Sequence, residues 1–478
     1  MRPGLRIVTL ALALLAAGCA SFGGVTPTTT TRTAAQLGAT DAAAAWPRDD
    51  WWTRFGDTQL NELVTQALAG NPQLDAARAR LLRAQAAAAG VDAAGRPRVD
   101  AQAQSTRQRF SENFLYPPPL GGAEETSNLL QLSGSWELDF FGRNRAALRA
   151  ALSQQRAAAA EAQAARLAIA SSVASTYVQL ARLDETREVL AATLAQREQI
   201  LKLVQARVAS GLDTQVELRQ AEGAVPEIRQ QIEALDEQQH LARNALAALL
   251  GAGPAKTDAL APHLPPVQPP DVPRAIPADL IGRRADISAA RWRVEAATAG
   301  IDEAKAQFYP NVNLAAFAGF QSLGFANWIE AGSRTWGVGP AISLPVFDAG
   351  RLRANLRVRT ADLDAAVAAY NATLIDAVRD VADQVASLQS IERQATEQHA
   401  AQAAAEGAYD LATLRYRAGL GSYLTVLAAE TNVLAQRRIG VDLKGRRATA
   451  TIQLMRALGG GFDAGSISEA VASDSRQR

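Results

Sequence analysis

The sequence predicts a mainly α-helical chain with a small β part, built as a duplicated unit of long antiparallel coiled-coil helices plus four membrane strands. Three observations lead to this fold class. The 478 residues are 48% apolar but only 5% aromatic, and abundant alanine, the strongest helix former, accounts for the difference. The stretch from Arg143 to Ser210 contains neither Gly nor Pro. The same order of elements then occurs twice along the chain.

The two halves resemble each other at a spacing of about 208 residues. Arg207–Leu212 corresponds to Arg415–Leu420, and the similarity continues in order on both sides. Such ordered similarity at a nearly constant spacing indicates duplication. We place the first repeat at residues 46–260 and the second at residues 281–460. A Pro-rich linker at residues 261–280 separates them, because successive prolines are incompatible with regular helix. Residues 461–478 are predicted to be a disordered tail.

Each repeat begins with a helix, at about Asp57–Ala94 and Asp286–Gln307. Alternating segments then predict strands at about 99–110 and 130–140, and at about 312–321 and 335–344. A helical hairpin ends each repeat, at about 143–250 and 351–458, and its apolar spacings of three, four and seven residues are typical of coiled coils. Four short strands cannot close a barrel around a pore. Since open sheet edges are not tolerated in lipid, several chains would share one barrel.

The amino-terminal residues carry the features of a secretory signal. Arg2 and Arg6 precede an apolar run that ends at Gly18-Cys19, and residues 1–18 are therefore predicted to be a lipoprotein signal peptide. Residues 15–19 resemble the bacterial lipobox, with Ala16 at the position where Leu is favoured. That resemblance implies lipidation of Cys19, followed by a flexible tether to residue 45; the alternative is a signal without lipid. In bacterial lipoproteins, Asp directly after the lipidated Cys usually signals retention in the inner membrane. The presence of Ala20 at that position therefore favours the outer membrane.

Composition and motifs argue against several other functions. With 49 basic and 48 acidic side chains, the chain has no strong attraction to nucleic acid. A lone Cys excludes an internal disulfide and a Cys-based zinc cluster. The three His are far apart in sequence, and no hydrolase or nucleotide-binding motif occurs. The pairs Asp362/Asp364 and Asp380/Asp383 are interpreted as solvated helix charges. We therefore predict no enzyme, no metal site and no cofactor other than a covalent lipid on Cys19.

Four segments together resemble one known family. The segments are Trp51–Asp57, Gly282–Ile287, Val346–Arg351, and Tyr416–Gly419 followed by Tyr423–Leu427. They are similar to the TolC-like outer membrane factors, in the lipoprotein branch that serves resistance–nodulation–division efflux pumps. One departure is Ala285, where the family usually has Pro.

The resemblance implies a homotrimer in the outer membrane of a Gram-negative bacterium. Three chains would form one twelve-stranded β-barrel continued by an α-helical periplasmic tunnel. An inner-membrane pump would supply the energy, and a periplasmic adaptor would bridge the pump to this exit duct. The duct itself would conduct small molecules passively.

The resemblance also indicates candidate site residues at the two hairpin tips. Adaptor contact is expected at Arg207, Gly211, Leu212, Arg415, Gly419 and Leu420. The two arginines are equally explained as cations near a helix C-terminus. Val216 and Leu424 are candidate gate residues, since narrow apolar pores gate by dewetting; the alternative is ordinary heptad packing. The family often has an acidic residue where this chain has Ala428, with Gln220 in the first repeat, and Glu222 and Glu430 lie nearby.

Other functions remain open on sequence grounds. A TolC-like duct could serve type I protein secretion or metal export instead. A structural periplasmic coiled-coil lipoprotein is a further alternative, although an adaptor would have one hairpin rather than a duplicated one. The exported compound and the particular pump and adaptor do not follow from the sequence.

Overall fold

The computed structural model describes residues 22–38, 46–265 and 280–465. The signal peptide, Cys19, most of the inter-repeat linker and most of the carboxy-terminal tail lie outside the described residues. The α-helices are α1 (Thr58–Gly70), α2 (Pro72–Ala94), α3 (Arg143–Ala209), α4 (Gln215–Leu249), α5 (Leu280–Arg283), α6 (Ala285–Ala306), α7 (Arg351–Arg417) and α8 (Tyr423–Ala457). The strands are β1 (Arg98–Arg109), β2 (Glu124–Leu138), β3 (Asn311–Leu323) and β4 (Arg334–Ser343). The mainly helical, duplicated fold class is thus confirmed.

The predicted opening helix at 57–94 is instead two helices. Asn71 separates α1 from α2, and its side-chain amide donates a hydrogen bond to the carbonyl of Leu249 at 2.8 Å. Its side-chain oxygen accepts from the amide of Gln73 at 2.8 Å and so caps α2. Pro72 occupies the first position of α2, where its missing N–H is harmless. The break between α1 and α2 therefore follows from the Asn71 cap and Pro72. The alanine-rich residues around them led to the prediction of one continuous helix.

The four strands form one antiparallel sheet in the order β1-β2-β3-β4. β2 begins at Glu124 rather than near residue 130, because its polar first residues pair with β1 as far as Arg109. Ladder hydrogen bonds use the backbone, so the strand continues where the apolar alternation has not yet begun.

The register divides the sheet into an apolar and a polar face. Residues paired across the ladders share a face, as Leu138 does with Val312 and Trp136 with Leu314. One face carries Val99, Ala101, Ala103, Leu130, Leu132, Trp136, Leu138, Val312, Leu314, Ala316, Ala318, Phe320, Trp336, Val338 and Ile342. The other is mainly polar, with Asp100, Gln102, Gln104, Gln131, Ser133, Ser135, Glu137, Asn311, Asn313, Gln321, Thr335 and Ser343. Many apolar-face side chains, including Trp336 and Val338, are exposed in the single chain.

The chain divides into two compact units. The first contains the described part of Met1–Thr31 together with Leu81–Ala157 and Ala290–Tyr370, and it includes the sheet. The second contains Arg32–Arg80, Ala158–Ala289 and Asn371–Arg478, within its described residues, and it includes the turns of both helical hairpins. Each unit therefore takes segments from both repeats. Among the described residues, no helix combines the length and the apolar character that crossing a bilayer requires.

In the second unit, an apolar cluster joins the two helical hairpins. Its buried members come from α3, α4 and α8 and are Leu180, Leu183, Leu190, Ile228, Leu235, Ala242 and Leu434. Burying each large aliphatic side chain contributes roughly 1.5–3 kcal/mol, so this cluster mainly stabilises the first hairpin, and Leu434 is the buried residue that the second repeat adds to it.

A glycine in α8 allows a close approach to α3. A Cβ atom on Gly445 would lie 2.7 Å from Cδ and 3.1 Å from Cγ of Arg182. The guanidinium of Arg182 reaches Asp442 at 3.0 Å. The proximal part of the arginine side chain thus fills the space that a methyl group would need, which explains a glycine inside a long helix.

We expect Gly445→Ala to lower the free energy of unfolding by about 1–3 kcal/mol, because the added methyl group overpacks the contact with Arg182. Gly407→Ala in α7 is the matched control, since nothing lies within 4 Å of its added Cβ. That control should stabilise the helix by about 0.5–1 kcal/mol. Urea unfolding of the purified variants in detergent measures both. Equal effects of the two substitutions would contradict the packing argument.

Candidate functional site at the helix turns

The turns α3–α4 and α7–α8 have the same backbone geometry. Gly211 has φ +71° and Gly419 has φ +73°, the left-handed conformation that glycine adopts without strain. The amides of Gly211 and Leu212 donate to the carbonyls of Val208 and Arg207 at 3.0 and 2.9 Å, and Gly419 and Leu420 repeat the pattern. This pair of bonds is a Schellman cap, which satisfies the last carbonyls of each long helix.

The predicted apolar site residues at both turns are exposed. Leu212 is 66% exposed, Leu420 71%, Val216 62% and Leu424 59%. Val216 and Leu424 therefore do not take part in heptad packing within one chain. Largely exposed apolar side chains at corresponding positions of both repeats are available for contacts with other chains.

The two predicted arginines have different environments. The guanidinium of Arg207 makes two hydrogen bonds to the carboxylate of Asp213, at 2.9 and 3.1 Å, and both side chains are largely buried. Arg415 is exposed and donates only a long bond, 3.4 Å, to the carbonyl of Leu420. Arg415 is thus accessible at the surface, whereas Arg207 belongs to an internal contact.

Asp213 also binds the second repeat. The hydroxyl of Tyr416, in the last turn of α7, donates a short hydrogen bond to a carboxylate oxygen of Asp213. Tyr416 is completely buried, its ring lies 4.7 Å from the guanidinium carbon of Arg207, and its centroid is 6.1 Å from that of Tyr423. We call Arg207, Asp213 and Tyr416 the turn triad. It is a direct polar connection between the turns of the two repeats.

The electrostatics of the turn triad keep its proton on the tyrosine. The hydrogen bonds from Arg207 lower the pKa of Asp213 below its ordinary value, and the bond from Tyr416 acts in the same direction. Burial, and then the bond to Asp213, raise the pKa of Tyr416. At neutral pH the carboxylate is therefore ionised and the phenol is a hydrogen-bond donor, which is the arrangement that charge-assisted hydrogen bonds favour.

Helix α4 begins with a capping box beside the turn triad. The Thr214 hydroxyl accepts from the amide of Val216 at 3.1 Å, while the Thr214 amide donates to the carboxylate of Glu217 at 2.9 Å. These reciprocal bonds fix the first turn of the helix. Ser422 caps α8 in the corresponding place, accepting from the amide of Thr425 at 3.4 Å.

A second polar contact joins the repeats farther from the turns. Arg197 of α3 is buried and donates to Glu430 of α8 at 2.8 Å, to Glu227 at 3.0 Å and to the carbonyl of Ala224 at 2.7 Å. Burial raises the pKa of Glu430, and Arg197 opposes that effect. Glu430 is thus a buried partner of Arg197 and not an exposed acidic group.

The other residues considered for an acidic ring have different surroundings. Glu222 pairs with Arg219 at 2.7 Å on its own helix. Gln220 and Ala428 are exposed.

The described residues contain no group of three or more His, Cys, Asp or Glu side chains suited to a metal ion. His263 and His399 line a cavity of about 880 Å³ in the second unit, together with Asp184, Glu185, Glu188 and Glu392. Cys19, the predicted lipid site, lies outside the described residues.

Sequence reasoning missed the roles of Asp213, Tyr416 and Arg197. One signal was available. At the spacing of about 208 residues, Asp213 corresponds to Gly421 and Tyr416 to Val208. At the turns, the repeats thus differ in chemical type at the two positions, Asp213 and Tyr416, that contact each other.

Three comparisons place the chain among known proteins. A family model described as "Outer membrane efflux protein" matches residues 63–252 and 276–460, one match in each repeat. The fusaric acid resistance protein FusA of Burkholderia cepacia is 38% identical over 74% of this chain and 68% of FusA. The multidrug resistance outer membrane protein MdtP of Escherichia coli K12 is 34% identical over 90% of this chain and 89% of MdtP.

A solved structure has the same fold over most of the chain. The crystal structure of the outer membrane protein VceC from Vibrio cholerae superposes with a TM-score of 0.83 at 38% identity, covering 87% of this chain and 100% of VceC. Similarity at this level extends to both repeats.

We expect Asp213→Asn to lower the free energy of unfolding by about 2 kcal/mol at pH 7, because Arg207 then loses its charged partner. The pKa of Asp213 is lower in the folded chain than its ordinary value of 3.8. Its contribution is therefore complete above that value and is lost as the pH falls through the lower folded pKa. Wild type and variant should converge when urea unfolding is repeated at the lowest pH the protein tolerates.

Asp410→Asn, which changes an exposed carboxylate of α7, is the control and should have little effect at either pH. A difference between Asp213→Asn and wild type that did not depend on pH would show that the ionised triad is not the source of the stability.

Proposed function

This chain belongs to the outer membrane efflux protein family, and from that premise we propose that it is the exit duct of a tripartite efflux pump. It lies in the outer membrane of a Gram-negative bacterium and conducts small molecules to the exterior. The duct acts passively and is not an enzyme: an inner-membrane pump of the resistance–nodulation–division type supplies the energy, and a periplasmic adaptor joins the pump to the duct.

The two-faced sheet carries this proposal. Its apolar face, with Trp136, Leu314, Trp336 and Val338, suits contact with lipid acyl chains, and its polar face suits the wall of a water-filled lumen. The free edges of β1 and β4 need partners in the membrane. Three copies would provide twelve strands and close the barrel, so we propose a homotrimer. The long helices would then continue the duct as a periplasmic tunnel.

The exposed residues of the turns form the proposed adaptor surface. Leu212 and Leu420 present apolar side chains, and Arg415 adds an exposed cation. Gly211 and Gly419 allow the sharp chain reversals that place these side chains at the surface of the turns. An adaptor that offered apolar residues and an acceptor for Arg415 would complement this surface.

The turn triad is the proposed latch of the periplasmic aperture. Asp213 and Tyr416 connect turns from the two repeats, so separating the turns requires breaking this bond and its support from Arg207. Val216 and Leu424 are exposed just beyond the turns. Three copies of each would make an apolar constriction that closes by dewetting. With Ala428 and Gln220 in place of acidic residues, closure would depend on apolar contacts and on the latch.

We further propose that Cys19 carries the lipid anchor, on the strength of the lipobox-like residues 15–19. The names of the relatives favour small organic compounds as cargo, since one is a fusaric acid resistance protein and another a multidrug resistance outer membrane protein. Protein secretion and metal export have no corresponding support among those two relatives.

Deleting the gene should increase sensitivity to several small toxic compounds, and the wild-type gene should restore resistance. Growth inhibition across a panel of drugs, metals and solvents measures this. The assignment fails if the deletion leaves every sensitivity unchanged but abolishes secretion of one protein.

Removing the Tyr416 hydroxyl should release the latch. We expect Tyr416→Phe to raise the open probability of the channel in planar bilayers by about tenfold or more, since a hydrogen bond to a charged group is worth about 1.5–3 kcal/mol. Tyr409→Phe, on the same helix, is the matched control and should leave the open probability unchanged. An unaltered Tyr416→Phe channel would remove the turn triad from gating.

A further inference from the structure

The described residues near the amino terminus lie against α7 and do not form the flexible tether expected for this part of residues 19–45. We call residues 22–32 the strap. The guanidinium of Arg353, in the first turn of α7, donates to the carbonyl of Gly23 at 3.2 Å. Farther along, the amide of Arg32 donates to the side-chain oxygen of Asn371 at 2.8 Å. Between these contacts lies the densest polar contact of the strap.

Asp364 gathers hydrogen bonds from two consecutive threonines. The amide of Thr28 donates to its carboxylate at 2.9 Å and the hydroxyl at 2.8 Å. The amide of Thr29 donates at 3.0 Å and its hydroxyl at 2.7 Å. These bonds lower the pKa of Asp364 to about 2, with the Thr29 hydroxyl as the largest cause. The interpretation of Asp364 as a solvated helix charge is therefore wrong, because its carboxylate accepts hydrogen bonds from Thr28 and Thr29, more than 330 residues away in sequence.

The spacing of the contacts fits an extended strap running alongside the helix. Arg353 and Asp364 are eleven residues apart, close to three helical turns, and so share one face of α7. That distance along the helix is about 16 Å at 1.5 Å per residue. Gly23 and Thr28 are five residues apart, which also gives about 16 Å for an extended chain at roughly 3.3 Å per residue. The two segments therefore match in length from one contact to the next.

The strap also covers apolar surface of the first unit. Val25 packs against the cluster formed by Ile301, Ala304, Leu356, Leu363 and Val367. The ring of Phe22 lies edge-on to Phe308 with centroids 5.7 Å apart. Polar contacts on one side and apolar burial on the other hold the same short segment, as expected of a specific binding site rather than a chance surface contact.

We infer that the α7 face around Asp364 is a binding site for the chain's own strap, and that it fixes where the amino-terminal anchor joins the duct. Cys19 is three residues before Phe22 in the sequence. Arg353 lies ten residues after Ser343, the end of β4. A lipid on Cys19 would thus be attached just before the end of the strap that Arg353 binds. The statement about the lipid rests on the proposed function; the binding site itself does not.

Hydrogen–deuterium exchange of the full-length purified protein tests the site. In the wild type, the amides of Thr28 and Thr29 should exchange at least about tenfold more slowly than in a free peptide of residues 22–33. Asp364→Asn should remove that protection, because an amide offers one acceptor oxygen and places donors against donors. Asp362→Asn is the matched control, since Asp362 lies on the same helix and pairs with Arg359 of that helix, at 3.8 Å.

Two further variants separate the site from folding and from the lipid. Thr28→Val with Thr29→Val keeps both amides but removes both hydroxyls, and should reduce the protection in part. Cys19→Ser should leave the protection intact, because the contacts with α7 do not involve the lipid. The inference is overturned if wild-type Thr28 and Thr29 exchange like the free peptide, if Asp364→Asn matches wild type, or if Cys19→Ser alone abolishes protection. These readouts do not depend on whether the channel supports efflux.

Discussion

A sheet of four strands has two edges whose backbone groups have no partner within its own chain, and this constraint governs the rest of the molecule. In hydrocarbon each unpaired N–H or C=O is strongly unfavourable. The order β1-β2-β3-β4 places the free edges on the first strand of one repeat and the last strand of the other. Duplication therefore supplies two strand pairs but does not close the ring, and in the proposed homotrimer the closure would come from identical neighbours. The polar face of the sheet is useful only once that ring exists.

The repeats have diverged at the contact between their turns. Their backbones at the turns are almost the same, with matching left-handed glycines and Schellman caps. Their side chains differ at Asp213 and Gly421 and at Val208 and Tyr416, and the divergent side chains form the turn triad. Two identical hairpins would lack the complementary donor and acceptor. In the buried bond between Arg197 and Glu430 only one partner has diverged, since Glu430 corresponds to Glu222 and Arg197 to Ala405.

Local patterns were sufficient for most of the fold. The helices of the hairpins follow from long stretches without Pro or Gly, and the strand faces follow from alternation. The break at Asn71 was missed because a cap and a proline were outweighed by the surrounding alanines. Asp364, Asp213 and Tyr416 could not be interpreted from their neighbours in sequence, because their partners lie in another repeat or at the amino terminus. Long-range polar contacts leave no periodic signal.

The asymmetry of the turns has a consequence for symmetry. If six turns surround the aperture of a trimer, their backbones approximate a sixfold arrangement. The side chains do not follow it, because each chain has the tyrosine in one turn and its carboxylate partner in the other. The true symmetry is threefold, and only three such bonds form in the ring. An aperture held by three separate bonds has intermediate states with one or two of them broken, so it can widen in steps from one side.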